Sequence, residues 1–158
     1  MLGGISGAVA GLVAITPASG FVKPIPALMI GLLAGVFCYL MVTSVKHMFG
    51  YDDTLDAFGV HGAGGTIGAL LTGVFATNVI NNAPINGRLI PLGLVDGNPA
   101  QVGNQAIGVL ISISLAAAGT FVILKVCDAL IGVRVEHDAE EKGLDLSQHG
   151  EEGYFFEA

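Results

Sequence analysis

Residues 57–87 form a run of 31 positions without Asp, Glu, Lys or Arg, directly after an acidic cluster of Asp52, Asp53 and Asp56. One ionisable side chain interrupts the run, His61, and apolar residues and glycines follow it almost unbroken. A helix rises about 1.5 Å per residue, so roughly 20 residues cross a hydrocarbon core of about 30 Å. A titratable imidazole inside such a span is costly to keep and by default marks a path for ions or protons. The structural alternative is a histidine at a helix mouth, hydrogen-bonded to a neighbour.

Composition decides the solvent of this run. Charged residues make up 12% of the chain and apolar ones 53%, with a mean hydropathy of +0.73. Soluble domains carry about 25% charged residues, so an all-α membrane protein is expected. From Arg134 onward there are eight acidic and two basic residues, against five acidic and four basic in all that precedes. This divides the chain into a nearly neutral membrane body, residues 1–132, and an acidic, water-exposed tail, residues 133–158. No basic surface for nucleic acid is present. Cys38 and Cys127 lie in apolar segments without a CxxC or a ligand cluster, which suits small buried hydrophobes better than a disulfide or metal site. No cofactor is called for, and no basic stretch precedes the first apolar run as a cleavable leader would require.

About four transmembrane helices are predicted. Residues 2–16 form the first apolar segment, with Gly3, Ser6 or Gly7, and Gly11 at spacings of three to four that suit close helix approach. At about 22 Å it falls short of a full span, and Pro17 closes it. A partial span or a truncated one is expected, with Met1 an internal methionine or a late start. Residues 27–45 are a second, charge-free span carrying Gly31 and Gly35. The three aspartates suit the N-terminus of the next helix, where carboxylates meet free N–H groups and the positive dipole end. That helix is predicted over residues 57–79. His61, Gly65, Gly68 and Thr72 share one face of it, a small-residue stripe that would let another helix approach the imidazole. Residues 78–99 read as an exposed loop. A fourth apolar run covers residues 106–124 and extends toward Ile131.

With the tail inside, Lys46, His47, Lys125, Arg134 and Lys142 share the inner side, and Lys23 and Arg88 the outer. The positive-inside bias therefore puts the C-terminus in the cytoplasm. A tail this polar is by composition more often disordered or a solvated face than a recognition element, though Tyr154, Phe155 and Phe156 near its end are unusual for that role.

Three stretches resemble the ammonium transporter, methylammonium permease and Rhesus family. GLVAITPASGFV, residues 11–22, is similar to a motif ending one of the family's late helices. YDDTLDAFGVHGAGGTIGALLTGVFA, residues 51–76, resembles the helix bearing the second histidine of the family's pore pair. GVRVEHDAEEKGLDLSQHGEEGY, residues 132–154, resembles the cytoplasmic tail of the bacterial and archaeal transporters. The resemblance implies a plasma-membrane homotrimer of eleven-helix protomers, of which this chain holds the last four helices. Each protomer has a narrow apolar pore in which a histidine pair near the midplane handles ammonium that loses its proton. His61 matches the second histidine, Ala57 a pore-lining position one turn earlier, and Val9 a further lining position. In the tail, Gly143, Leu144, Asp145, His149, Gly150, Glu151 and Tyr154 look like elements that meet a PII-type signalling protein. Gly153 departs from the alanine the family commonly has there.

The first pore histidine and most of the outer cation site have no counterpart in these residues, so the 158-residue chain alone is expected not to transport. The alternative is a non-transporting membrane subunit or ammonium sensor that signals through its tail. An enzyme is not expected, since no nucleophile–base or metal-ligand spacing appears and His61 has no titratable neighbour within its helix.

Overall fold

The computed structural model describes residues 2–82, 84 and 86–151. The protein is all-α, with no strand among the described residues. Two compact units divide it, Met1–Ser112 and Ile113–Ala158.

In the first unit, α1 (Leu2–Ile15) runs into a 3₁₀ turn, Thr16–Ala18, in which Pro17 supplies no N–H and fixes its own φ. The Thr16 hydroxyl folds back onto the Leu12 carbonyl at 2.7 Å, and Gly20 turns the chain at a φ of 78°. Pro24 opens α2 (Pro24–Leu40), where its missing N–H leaves no helical hydrogen bond unmade. The helix continues through a wide π turn, Met41–Val45, into α3 (Lys46–Phe49), so the span is longer at both ends than predicted. Gly50 ends it in the left-handed conformation, its N–H bonded to the Lys46 carbonyl.

A second π turn, Phe58–Gly62, leads into α4 (Ala63–Phe75). The sequence predicts this helix to residue 79; it stops at Phe75. Ala76 is extended, with ψ 136°, and the Thr77 N–H leaves the helix ladder for the Phe21 carbonyl at 2.9 Å. The following α5 (Ala100–Ile131) starts six residues before the predicted run. Its 32 residues rise about 48 Å, more than a hydrocarbon core needs. By length and hydropathy, Pro24–Phe49, Phe58–Phe75 and Ala100–Ile131 can each cross a membrane, and Gly3–Ala18 is a shorter apolar helix.

Small side chains hold α1, α2 and α4 together. Ala10, Ala14 and Ala18 on α1 and its 3₁₀ extension, and Ile30, Ala34 and Cys38 on α2, recur every four residues and are all buried. Ile67, Leu71 and Phe75 of α4 pack on the Ala14–Ile30 layer, and Val60 joins Ala10 and Cys38. The closest approach is at Gly68, where a methyl group would collide with the Ala14 carbonyl. Glycines expected to serve this purpose elsewhere contribute less: an added methyl at Gly31 or Gly35 would meet nothing within 4 Å.

In the second unit the tail carries structure that its composition did not promise. Beyond the end of α5, α6 (His137–Lys142) is followed by a π turn, Asp145–His149. The Ser147 hydroxyl donates to the Gly143 carbonyl at 2.8 Å, the Glu151 N–H donates to Asp145 O at 3.0 Å, and Arg134 pairs with Glu140 at 2.9 Å.

Candidate functional site

The acidic cluster divides its work, in contrast to the expectation that all three aspartates cap one helix. Asp53 does cap, its two oxygens accepting the N–H groups of Phe58 at 3.2 Å and Gly59 at 3.1 Å. Asp56 forms an ion pair with the Lys46 ammonium at 2.7 Å. Asp52 accepts the Thr54 hydroxyl at 2.9 Å.

The π turn that follows carries His61 one turn into the helix. Its inner side is pinned against α2, where a methyl on Gly59 would strike the Val42 side chain and the Cys38 thiol lies 3.8 Å from the Val60 carbonyl. Its outer side is open, and His61 is exposed. Among the described residues no hydrogen-bond partner reaches the imidazole. Two hollows flank it. One, of about 360 Å³, is lined by Val9, Ala57, His61, Asp56, Ser6 and Leu55, with two further apolar residues. The other, about 550 Å³, is lined by Val9, Leu12, Val13, Thr16, His61 and Gly65, with Pro17. Val9 and His61 border both, so the two hollows form a trough along one side of α1. The structure thus brings Val9, Ala57 and His61 together.

The predicted small-residue stripe splits. Gly65 shares the trough with His61, and a methyl there would meet nothing within 4 Å. Gly68 and Thr72 are buried instead, Gly68 against α1. The helix that approaches α4 closely therefore meets Gly64 and Gly68 and leaves the imidazole face open.

In the sequence the loop before α5 reads as exposed, and Asp96 has no assigned role there. Asp96 organises that loop. Its carboxylate accepts the Thr77 hydroxyl and the Asn78 N–H, both at 2.7 Å, and the Leu92 N–H at 3.4 Å. Partial burial alone would raise its pKa; the three hydrogen bonds and the Lys23 charge outweigh it and hold the carboxyl below its ordinary value. Gly93 lies so close to the Ala76 backbone that a methyl would sit 2.6 Å from its carbonyl oxygen. A lone aspartate amid Asn, Gly and Pro was the signal available in the sequence.

In the tail, Gly143 and Gly150 adopt positive φ of 91° and 66° on either side of the π turn that holds Asp145 and His149. Leu144 and Glu151 flank the same turn. Tyr154 lies outside the described residues.

The profile of the Ammonium Transporter Family matches residues 1–154. The ammonium transporter of Bacillus subtilis is 44% identical over 154 residues, covering 98% of this chain and 37% of the relative. That of Aquifex aeolicus is 51% identical over 149 residues, covering 94% and 33%. Among solved structures, crystal structures of Mep2 from Saccharomyces cerevisiae and Candida albicans superpose with a TM-score of 0.74 each, at 36% and 31% identity. Both cover 84% of this chain, and 30% and 29% of those chains. The chain spans about a third of the length of the relatives it matches. On a profile match across nearly its whole length and on helices that superpose on Mep2, this chain belongs to the ammonium transporter family.

Proposed function

We propose that this chain supplies one wall of a pore through which ammonium nitrogen crosses the plasma membrane, with His61 in contact with the permeant and Val9 and Ala57 lining its path. The observation that carries the reading is the trough in which these three residues meet, with an open imidazole between two hollows. The chemistry follows from the lining. Stripping water from a cation in an apolar passage is expensive, whereas neutral ammonia crosses readily. A neutral imidazole has one acceptor and one donor nitrogen, so it can take the proton that ammonium loses on the first, release its own proton from the second to another imidazole, and leave neutral ammonia in the passage. The second histidine and the opposite wall belong to the part of the transporter that this chain does not match. In this reading residues 1–132 are membrane-embedded within a homotrimer. Residues 133–158 face the cytoplasm, where the turn from Gly143 through Asp145 and His149 to Glu151 receives a PII-type protein.

Methylammonium uptake tests the proposal. Cells expressing only the 158 residues are expected to show no saturable uptake. Co-expression with the part of the Bacillus subtilis transporter that this chain does not match is expected to restore it. Saturable uptake by the chain alone contradicts the reading of it as one wall.

The hydrogen bonds within the tail favour a second role, signalling to a partner, over a merely solvating one. Partner binding that persists in His61→Ala while uptake is absent separates signalling from transport.

A further inference from the structure

We infer that Lys46, Asp53 and Asp56 are positioning residues that aim His61 into its trough. The inference deepens the pore reading and rests on it for its functional meaning. Asp56 has a φ of 54°, in the left-handed region that non-glycine residues seldom occupy. Such a conformation persists where the surroundings over-determine it, and here several contacts converge. The Lys46 ammonium binds the Asp56 carboxylate at 2.7 Å and the Asp53 carbonyl at 2.6 Å. The Asp56 N–H bonds back to that same Asp53 carbonyl at 3.0 Å, and the Asp56 carbonyl accepts the Val60 N–H at 2.9 Å. The Asp53 side chain holds the N–H groups of Phe58 and Gly59. The backbone of Asp53 and the side chain of Asp56, at the entry to the π turn, are thus both tied to a lysine on α3.

An exposed ion pair alone would do little. Lys46 is three-quarters covered and satisfies a carboxylate and a carbonyl together. The π turn sets the phase in which the helix begins, and π turns are frequent at functional sites. With Gly59 pressed on Val42 on one side and Asp56 clasped by Lys46 on the other, the backbone turn that carries His61 is held from both sides.

The test is the imidazole spectrum of the full 158-residue chain in lipid nanodiscs, labelled with ¹⁵N-histidine. The His61 signals are assigned by their loss in His61→Gln. Wild type is expected to give one resolved set for His61. Lys46→Ala should split or broaden it, Lys46→Arg should restore the single set, and Ile30→Ala, which loosens the core away from the turn, should leave it single. An unchanged His61 set in Lys46→Ala, or an equal change in Ile30→Ala, overturns the inference. Should Lys46→Ala not fold, Asp56→Asn removes the charge with a residue that tolerates the left-handed region, and the same split is required of it. This readout is independent of transport. If the spectra behave as expected but His61→Ala leaves uptake in the co-expressed assembly intact, the positioning stands and the pore reading fails.

Discussion

The carboxylate of Asp96 accepts the hydroxyl of Thr77 at 2.7 Å across 19 positions of sequence. With the Asn78 N–H on its other oxygen, it draws the chain out of the helix after Phe75 and seats the Thr77 N–H on the Phe21 carbonyl. One side chain thereby joins the ends of α1 and α4 to the loop that precedes α5.

Asp96→Asn removes the charge that three donors address, and is expected to lower stability by about 1–2 kcal/mol. The pH dependence has a defined sign. The folded-state pKa lies below the unfolded one, so the full contribution is present above the ordinary aspartate value of about 3.9 and is lost as pH falls through the depressed folded value. Unfolding midpoints of the chain in detergent, from about pH 6 downward, should fall more steeply at the acid end in wild type than in Asp96→Asn. Parallel curves would refute this role.

Gly68 and Gly65 are three residues apart and should respond oppositely to the same change. Gly68→Ala forces a methyl into the Ala14 carbonyl and should cost about 1–3 kcal/mol. Gly65→Ala meets open space and should be neutral or slightly stabilising through helix propensity. Paired denaturation midpoints in one detergent decide it, and equal losses would contradict the packing.

Cys38 is buried between α1 and the His61 turn, whereas Cys127 is half-buried on α5. A maleimide should label Cys127 readily in the folded chain and Cys38 only on unfolding. Intact mass after labelling counts the adducts, and two rapid adducts would mean that the Ala10–Cys38–Val60 layer is not formed.

Much of the helical architecture is legible in the apolar runs, because a bilayer tolerates few other backbones. The runs at residues 27–45 and 57–79 each mark a helix long and apolar enough to cross a membrane, the second stopping at Phe75, and Pro17, Pro24 and Gly50 punctuate the chain as their backbone limits require. What escapes is whatever depends on partners distant in sequence. The end of α4 is invisible because the competing acceptor, Asp96, lies 18 residues beyond the N–H of Asn78 that it captures. The early start of α5 is masked by Gln101, Asn104 and Gln105, polar residues that a hydropathy run discards and a helix accommodates. The candidate site was half legible. His61 stands out as the ionisable side chain of its apolar run, Val9 and Ala57 follow only from the resemblance, and the three meet in one trough. The division among Asp52, Asp53 and Asp56 was not legible, because identical side chains in one short turn are told apart only by where Lys46 reaches. The same is true of the stripe through Gly65 and Gly68, which simple helical periodicity joins and the packing on Ala14 separates.

The central claim is that His61 works on the permeant. Its direct test is methylammonium uptake by the co-expressed assembly carrying His61→Ala, with surface abundance measured in parallel. Uptake is expected to fall to the level of cells lacking the chain while abundance stays at the wild-type level. Undiminished saturable uptake at equal abundance would contradict the account and leave His61 a structural residue at a helix mouth.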